Sequence, residues 1–187
     1  MKITGQIVNL PALNKWLTAL PSEVYEKAAI SALNKVVAQA RTAMSREIRN
    51  EYNLSAKTVN DGLRTQRANS RQGTMSWSAV LESPSRKGRS MNLIHFSARQ
   101  TKAGVSVQIK RGGGRKVIAG AFIANKGRTV FRREGKAHLP IVPLQTIEVA
   151  QMFNAQRVNG KVLDFIKAKL PEVFNHEAEF FLKRHRA

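Results

Sequence analysis

The 187-residue sequence contains no cysteine. That excludes disulfides, thiol catalysis, cysteine-based zinc sites and iron–sulfur clusters. Acids are scarce, with 12 Asp and Glu against 32 Lys and Arg, so the formal charge is +20. Aromatic residues make up 6% of the chain, too few to expect stacking platforms for single-stranded nucleic acid. No run reaches the roughly 18–20 apolar residues of a membrane helix. The first ten residues carry Lys2 but neither an apolar h-region nor a small-residue cleavage site. The expectation is a soluble protein, made in the cytoplasm, without a standard export signal and with no membrane partner.

What is present suffices for a core: 42% of residues are hydrophobic. The length fits a single domain. The charge is unevenly spread. From Arg64 to Lys136 there are seventeen Lys and Arg, while the acids are Glu82 and Glu134 alone. Such a field favours nucleic acid, acidic protein or anionic lipid. The plainer reading is a solvated basic face that keeps the protein soluble.

Patterning divides the chain into an N-terminal arm over 1–20, a helical part over 21–63, a β-rich basic part over 74–144 and a helical part over 148–187. The arm reads as a short strand or an extended segment followed by a small helix from Pro11 to Leu20. A long helix should follow Pro21, with Ser22 as its N-cap and Glu23 and Glu26 in the first turn. Tyr25, Ala29, Leu33, Val37, Ala40, Met44, Ile48 and Tyr52 mark its buried stripe. Asn53 ends it, and Ser55 starts a short helix through Leu63. Met75, Trp77, Ala79 and Leu81 then alternate with Thr74, Ser76, Ser78 and Val80, as in a strand. A basic loop over 83–90 follows. Further strands are expected at Asn92 to Phe96, at Val105 to Lys110, at Lys116 to Ala124 and at Thr129 to Arg133. Leu139 to Leu144 reads as an edge segment, because Pro140 and Pro143 withhold donors. Glu148 to Phe153 reads as a short helix. Leu163, Ile166, Leu170, Phe174 and Phe181 form a last helical stripe, interrupted at Pro171. The fold class is α+β: a long N-terminal helix and C-terminal helices packed on a central antiparallel β-sheet or small β-sandwich.

Enzyme signatures fail. His95, His138, His176 and His185 are far apart, and the run from His176 to Phe180 lacks the second His of a zincin helix. No serine stands in a Gly-x-Ser-x-Gly turn. No catalytic residue, metal or cofactor is expected. Gly112-Gly113-Gly114, flanked by Arg111, Arg115 and Lys116, has the composition of a phosphate cradle. It matches neither a Walker A loop nor a dinucleotide fingerprint, since Val117 stands where the third glycine belongs. It also joins two strands, so a hairpin tip is the better reading. The charged tip is a candidate for contact with a nucleic-acid backbone. Arg86, Lys87 and Arg89 of the preceding loop are second candidates.

Several stretches, in consistent order from about residue 30 to 184, resemble the minor tail protein Z family of tailed bacteriophages and prophages. They are Ala32-Leu33-Asn34-Lys35, Phe96-Ser97-Ala98-Arg99-Gln100 leading to Gly104-Val105-Ser106-Val107, and the loop from Gly112 to Arg115. Next come Ile118 to Ile123, Val130-Phe131-Arg132-Arg133 and Leu139-Pro140-Ile141. Lys169-Leu170-Pro171-Glu172 and Phe181-Leu182-Lys183-Arg184 close the set. The resemblance implies a single tail-completion domain over 1–187 and a non-enzymatic virion protein at the head-proximal end of the tail, needed for head–tail joining. It implies as partners the tail terminator and tail tube proteins, the head connector and the genomic DNA end. A homo-oligomeric ring, six-fold by family analogy, follows from it too. A ring about 40 Å deep would face about 24 phosphates of duplex DNA, so about four Lys or Arg per copy would match them. The reading from another class is a free-standing, non-specific nucleic-acid-binding protein, which would show a steep salt dependence.

Overall fold

The structure is a computed structural model and describes residues 2–6, 20–69, 78–85, 90–135 and 137–186. In chain order it comprises β1 (Lys2–Gln6), α1 (Ser22–Glu51), α2 (Ala56–Asp61), β2 (Arg64–Gln66), β3 (Ser78–Glu82) and β4 (Met91–Asn92). After a 3-10 turn at Leu93–His95 come β5 (Arg99–Thr101), β6 (Gly104–Val107), β7 (Lys116–Ala119), β8 (Ala121–Ala124) and β9 (Thr129–Arg133). The chain continues through β10 (Ile141–Pro143), β11 (Gln145–Thr146), α3 (Val149–Asn154) and α4 (Gln156–Arg186). This is the expected α+β class, with the strands divided among four small antiparallel sheets, β1-β3-β2, β10-β9-β8, β11-β4 and β5-β6-β7. The expected helix from Pro11 and the residues Met75 and Trp77 lie outside the described residues.

The chain divides into two compact units: Met1–Met44, Leu63–Ser83 and Gln156–Ala187 form the first, Ser45–Gly62 and Pro84–Ala155 the second. In the first, α1 starts one residue earlier than expected. Pro21 holds the cap position, because its carbonyl accepts the Tyr25 N–H at 3.0 Å, and Ser22 is already helical. The buried stripe of α1 is wider than the single row of the sequence pattern. Val24, Ala28, Ala32 and Val36 form a second buried row beside Ala29, Leu33, Val37 and Ala40, while Tyr25 is half-buried. Leu20, Val24, Ala28, Ala29 and Ala32 pack with Phe174 and Ala178 of α4. Tyr25 meets Phe174 edge to face, with centroids 5.4 Å apart.

Helix α4 runs unbroken through Pro171. The expected interruption does not occur, and its buried row includes Val158, Val162, Leu170, Phe174 and Ala178, leaving Leu163 37% exposed. Its Glu177 is buried, accepting from Ser31 Oγ and Lys35 Nζ of α1, each at 2.6 Å. His176 Nδ1 lies 3.1 Å from the same carboxylate. Asn34 donates to the Ala68 carbonyl at 2.9 Å and accepts from the Ala68 N–H at 2.8 Å, as a strand neighbour would. Strand β3 lies between β1 and β2, and Val80, expected to face outward, is buried with Ala79 and Leu81, so both faces of this strand are covered.

In the second unit, three expected strands end early, each for a local reason. The one expected over Asn92 to Phe96 stops at Asn92, whose side chain accepts from the Ile94 N–H at 3.0 Å and starts the 3-10 turn. The same side chain pairs with the N–H and carbonyl of Val130 at 2.9 and 3.2 Å. The one from Val105 ends at Val107, where the chain turns toward the end of α1. The stretch from Lys116 to Ala124 breaks at Gly120, which takes φ +69° and separates β7, paired with β6, from β8, paired with β9. Gly104 opposes Ala119, and a Cβ there would lie 2.1 Å from the Ile118 carbonyl oxygen, so no other residue fits. Ser55 caps α2 by accepting from the Thr58 N–H, and the helix ends at Asp61, two residues before the expected Leu63, with Val59 and Leu63 buried and Thr58 half-buried. Short strands β2, β5 and β11 carry no alternation and were not legible.

Burial pushes the Glu177 carboxyl up, but hydrogen bonds from Lys35, Ser31 and His176, with the charge on Lys35, outweigh it and hold it below the ordinary carboxylate range. A depressed folded-state pKa stabilises above the unfolded value, and that stabilisation is lost as pH falls through the folded one. Glu177→Gln should therefore lower the urea midpoint near pH 7. It should also flatten the loss of stability between about pH 5 and pH 3, relative to the parent. Parallel curves for the two proteins would remove Glu177 from the acid response.

Candidate interaction site on the glycine loop

The loop that carries Gly112, Gly113 and Gly114 is rooted on the end of α1. A helix leaves its last carbonyls without intrahelical donors. Here the Glu51 carbonyl accepts from the Arg111 N–H at 2.9 Å, and the Asn53 N–H donates to the Ile109 carbonyl at 2.8 Å. Between these bonds Tyr52 and Lys110 form an antiparallel bridge. The tip is also braced from within. Gln108 Nε2 donates to the carbonyls of Arg111 and Gly113 at 3.1 and 2.9 Å, and the Gly113 N–H donates to the Lys110 carbonyl. None of the three glycines takes a left-handed φ, and a Cβ at Gly112 or Gly114 would meet nothing within 4 Å.

The candidate cations differ in availability. Arg115 is occupied: Nε donates to Ser106 Oγ at 3.0 Å, and Nη2 donates to the carbonyls of Ser97 and Ser106 at 2.6 and 3.0 Å. Ser97 holds φ +50° and its hydroxyl accepts from Asn53 Nδ2 at 3.1 Å. Arg115 thus fastens the loop to the turn before β5, and its charge-assisted bonds are structural ones. The side chains of Arg111 and Lys116 are exposed and have no hydrogen bond or ion pair among the described residues. The Lys110 side chain is likewise exposed, without a hydrogen bond or ion pair among the described residues, and lines the same groove as Lys116. Arg86, Lys87 and Arg89 lie outside the described residues.

Lys110 and Lys116 rim an open groove of about 470 Å³ floored by Val107, Ile109 and Ile118 and closed on one side by Gly113 and Gly114. The second unit as a whole carries seventeen Lys and Arg against five Asp and Glu, a formal +12. Phe122 and Phe131 are half-buried cross-strand neighbours with centroids 6.1 Å apart, and the Arg133 guanidinium lies 5.0 Å from the Phe122 ring centroid. Among the described residues there is no group of three or more His, Asp and Glu able to hold a metal. No described helix is long and apolar enough to cross a membrane.

The family model described as prophage minor tail protein Z (GPZ) matches residues 12–186. That span takes in nearly all of both units. No curated protein and no solved structure matches the chain.

Arg115→Ala should cost roughly 1–3 kcal/mol, because three bonds to the Ser97 and Ser106 groups are lost together. Lys116→Ala, on the exposed rim, should stay within about 0.5 kcal/mol of the parent. Urea unfolding of the two variants separates the clamp from the free charge, and equal midpoints would show that Arg115 does not hold the loop.

Proposed function

Because the chain belongs to the prophage minor tail protein Z family and is thereby a structural component of a phage tail, we propose that it completes the tail at its head-proximal end. There it lies against the tail terminator and tail tube, with the head connector beyond, and makes the tail competent to join a head. Copies form a ring, six-fold by family analogy, around the genomic DNA end. The protein works by where its cationic surface is placed, with no bond made or broken.

The observation that carries this reading is the +12 unit, whose glycine loop is fixed on α1 while the side chains of Arg111 and Lys116 have no partner among the described residues. A rigid loop with free cations can present charge to a phosphate backbone without first breaking internal ion pairs. Arg86, Lys87 and Arg89 are proposed as supporting contacts. Arg115 is set apart from them, since its guanidinium is spent on the loop itself.

Tails assembled without this protein should look complete yet fail to join heads, as read by electron microscopy and by in vitro joining. Normal joining would overturn the reading. Arg111→Glu combined with Lys116→Glu should reduce infectivity and displace the genome end within the tail. For the isolated protein on duplex DNA, each phosphate contact removed should lower the salt slope by about one. Unchanged infectivity and an unchanged genome end would take both residues off the list of DNA contacts.

A further inference from the structure

Strand β7 is an edge of the sheet β5-β6-β7 and, among the described residues, pairs with β6 alone. In an antiparallel pair half of a strand's N–H and C=O groups point away from its partner. On β7 those groups have no hydrogen bond among the described residues, because the chain turns at Gly120 and β8 pairs with β9 instead. Exposed edges are usually blunted by charge, proline or a covering segment. β7 has Lys116 at one end, but Val117 beside it is 54% exposed.

The register gives this edge a face. Val105 opposes Ile118 and Val107 opposes Lys116, so Val107, Lys116 and Ile118 share one side of the sheet, and with Ile109 they form the floor and rim of the groove. An apolar floor and an open backbone edge therefore adjoin, with Lys110 and Lys116 at the margin lacking acids of their own. Gly112 and Gly114, which neither φ nor internal contacts require to be glycine, leave the approach clear of side chains.

We propose that β7 is a strand-addition site that takes an extended, acidic segment of a neighbouring protein, whose groove-facing set of alternate residues carries apolar side chains over the floor and carboxylates at its ends, against Lys110 and Lys116. Backbone pairing supplies the affinity in this mode, and the pockets for alternate side chains supply the selectivity. A second copy of this chain is disfavoured as the occupant, because at +20 it would bring cations to a cationic rim. The inference rests on the proposed function only in taking the neighbour to be a protein of the same particle.

The probe is a fluorescent, end-capped octapeptide, Glu-Thr-Val-Thr-Val-Thr-Glu-Thr, whose odd positions place Val and Glu on one face, titrated onto the full chain. Binding should protect the amides of Lys116–Ala119 from hydrogen exchange. It should weaken about tenfold or more in Lys110→Glu and in Ile118→Ser, each checked for parental stability. A control octapeptide of the same charge with proline at every position other than its two Glu, which cannot form the ladder along the edge, should bind about tenfold more weakly or worse. Equal binding of the two peptides, or no protection of β7, overturns the proposal. Displacement of the peptide by duplex DNA with the same loss in Ile118→Ser would assign the groove to nucleic acid and also overturn it. So would peptide-independent self-association that Ile118→Ser abolishes, read by sedimentation velocity. Joining assays keep the two readings apart. Failure of the peptide while tails still need the protein to join heads removes the edge site alone, and joining without the protein removes the tail role alone.

Discussion

Where α1 ends, its unsatisfied carbonyls need donors, and the stretch from Ile109 to Arg111 supplies one in the manner of a strand. The two bonds on either side of the Tyr52–Lys110 bridge fix the root of the glycine loop to a helix end. From that root follow the turn held by Gln108, the reach of Arg115 to Ser97 and Ser106, and the starting point of β7. The result is a loop rich in glycine that is nonetheless ordered by side-chain bonds from outside its three glycines.

That order sorts the positive charge by use. Arg115 satisfies carbonyls, Arg133 lies over an aromatic ring, and Lys35 neutralises a buried carboxylate. Arg111, Lys110 and Lys116 have no such duty among the described residues. Composition alone treats all thirty-two cations alike. Only the hydrogen-bond geometry separates those that hold the fold from those left for a partner.

Helices and their buried faces were the most legible part of the chain, because a 3.6-residue repeat survives any tertiary context. The second buried row of α1 is not legible in the sequence because alanines at 28 and 32 signal burial weakly; their packing with Phe174 and Ala178 is what makes them core residues. The α+β class and the glycine loop could also be read directly. Strand ends could not: Asn92 halts a strand through its own side chain, and Gly120 divides another by a single backbone torsion. Of the candidate site, the cations were visible but not their duties. Arg115 looks the same as Arg111 in sequence, and the Ser97 carbonyl that captures it lies eighteen residues away. The stretches that resemble the family fall largely on such fastenings. Asn34 binds Ala68, Lys35 binds Glu177, Ser97 and Ser106 receive Arg115, and Gly104 and Gly120 stand where side chains do not fit or the backbone bends.

The first unit is assembled from three separate stretches, and its core needs Phe174 and Ala178 against residues as early as Leu20 and Val24. During synthesis, therefore, the whole of the second unit emerges while the first still waits for its closing helix. Synthesis must have passed Ala178 before α1 finds the partner that covers it. Until then its alanine and valine rows are unshielded, and that interval is when a nascent chain depends most on chaperones or on speed.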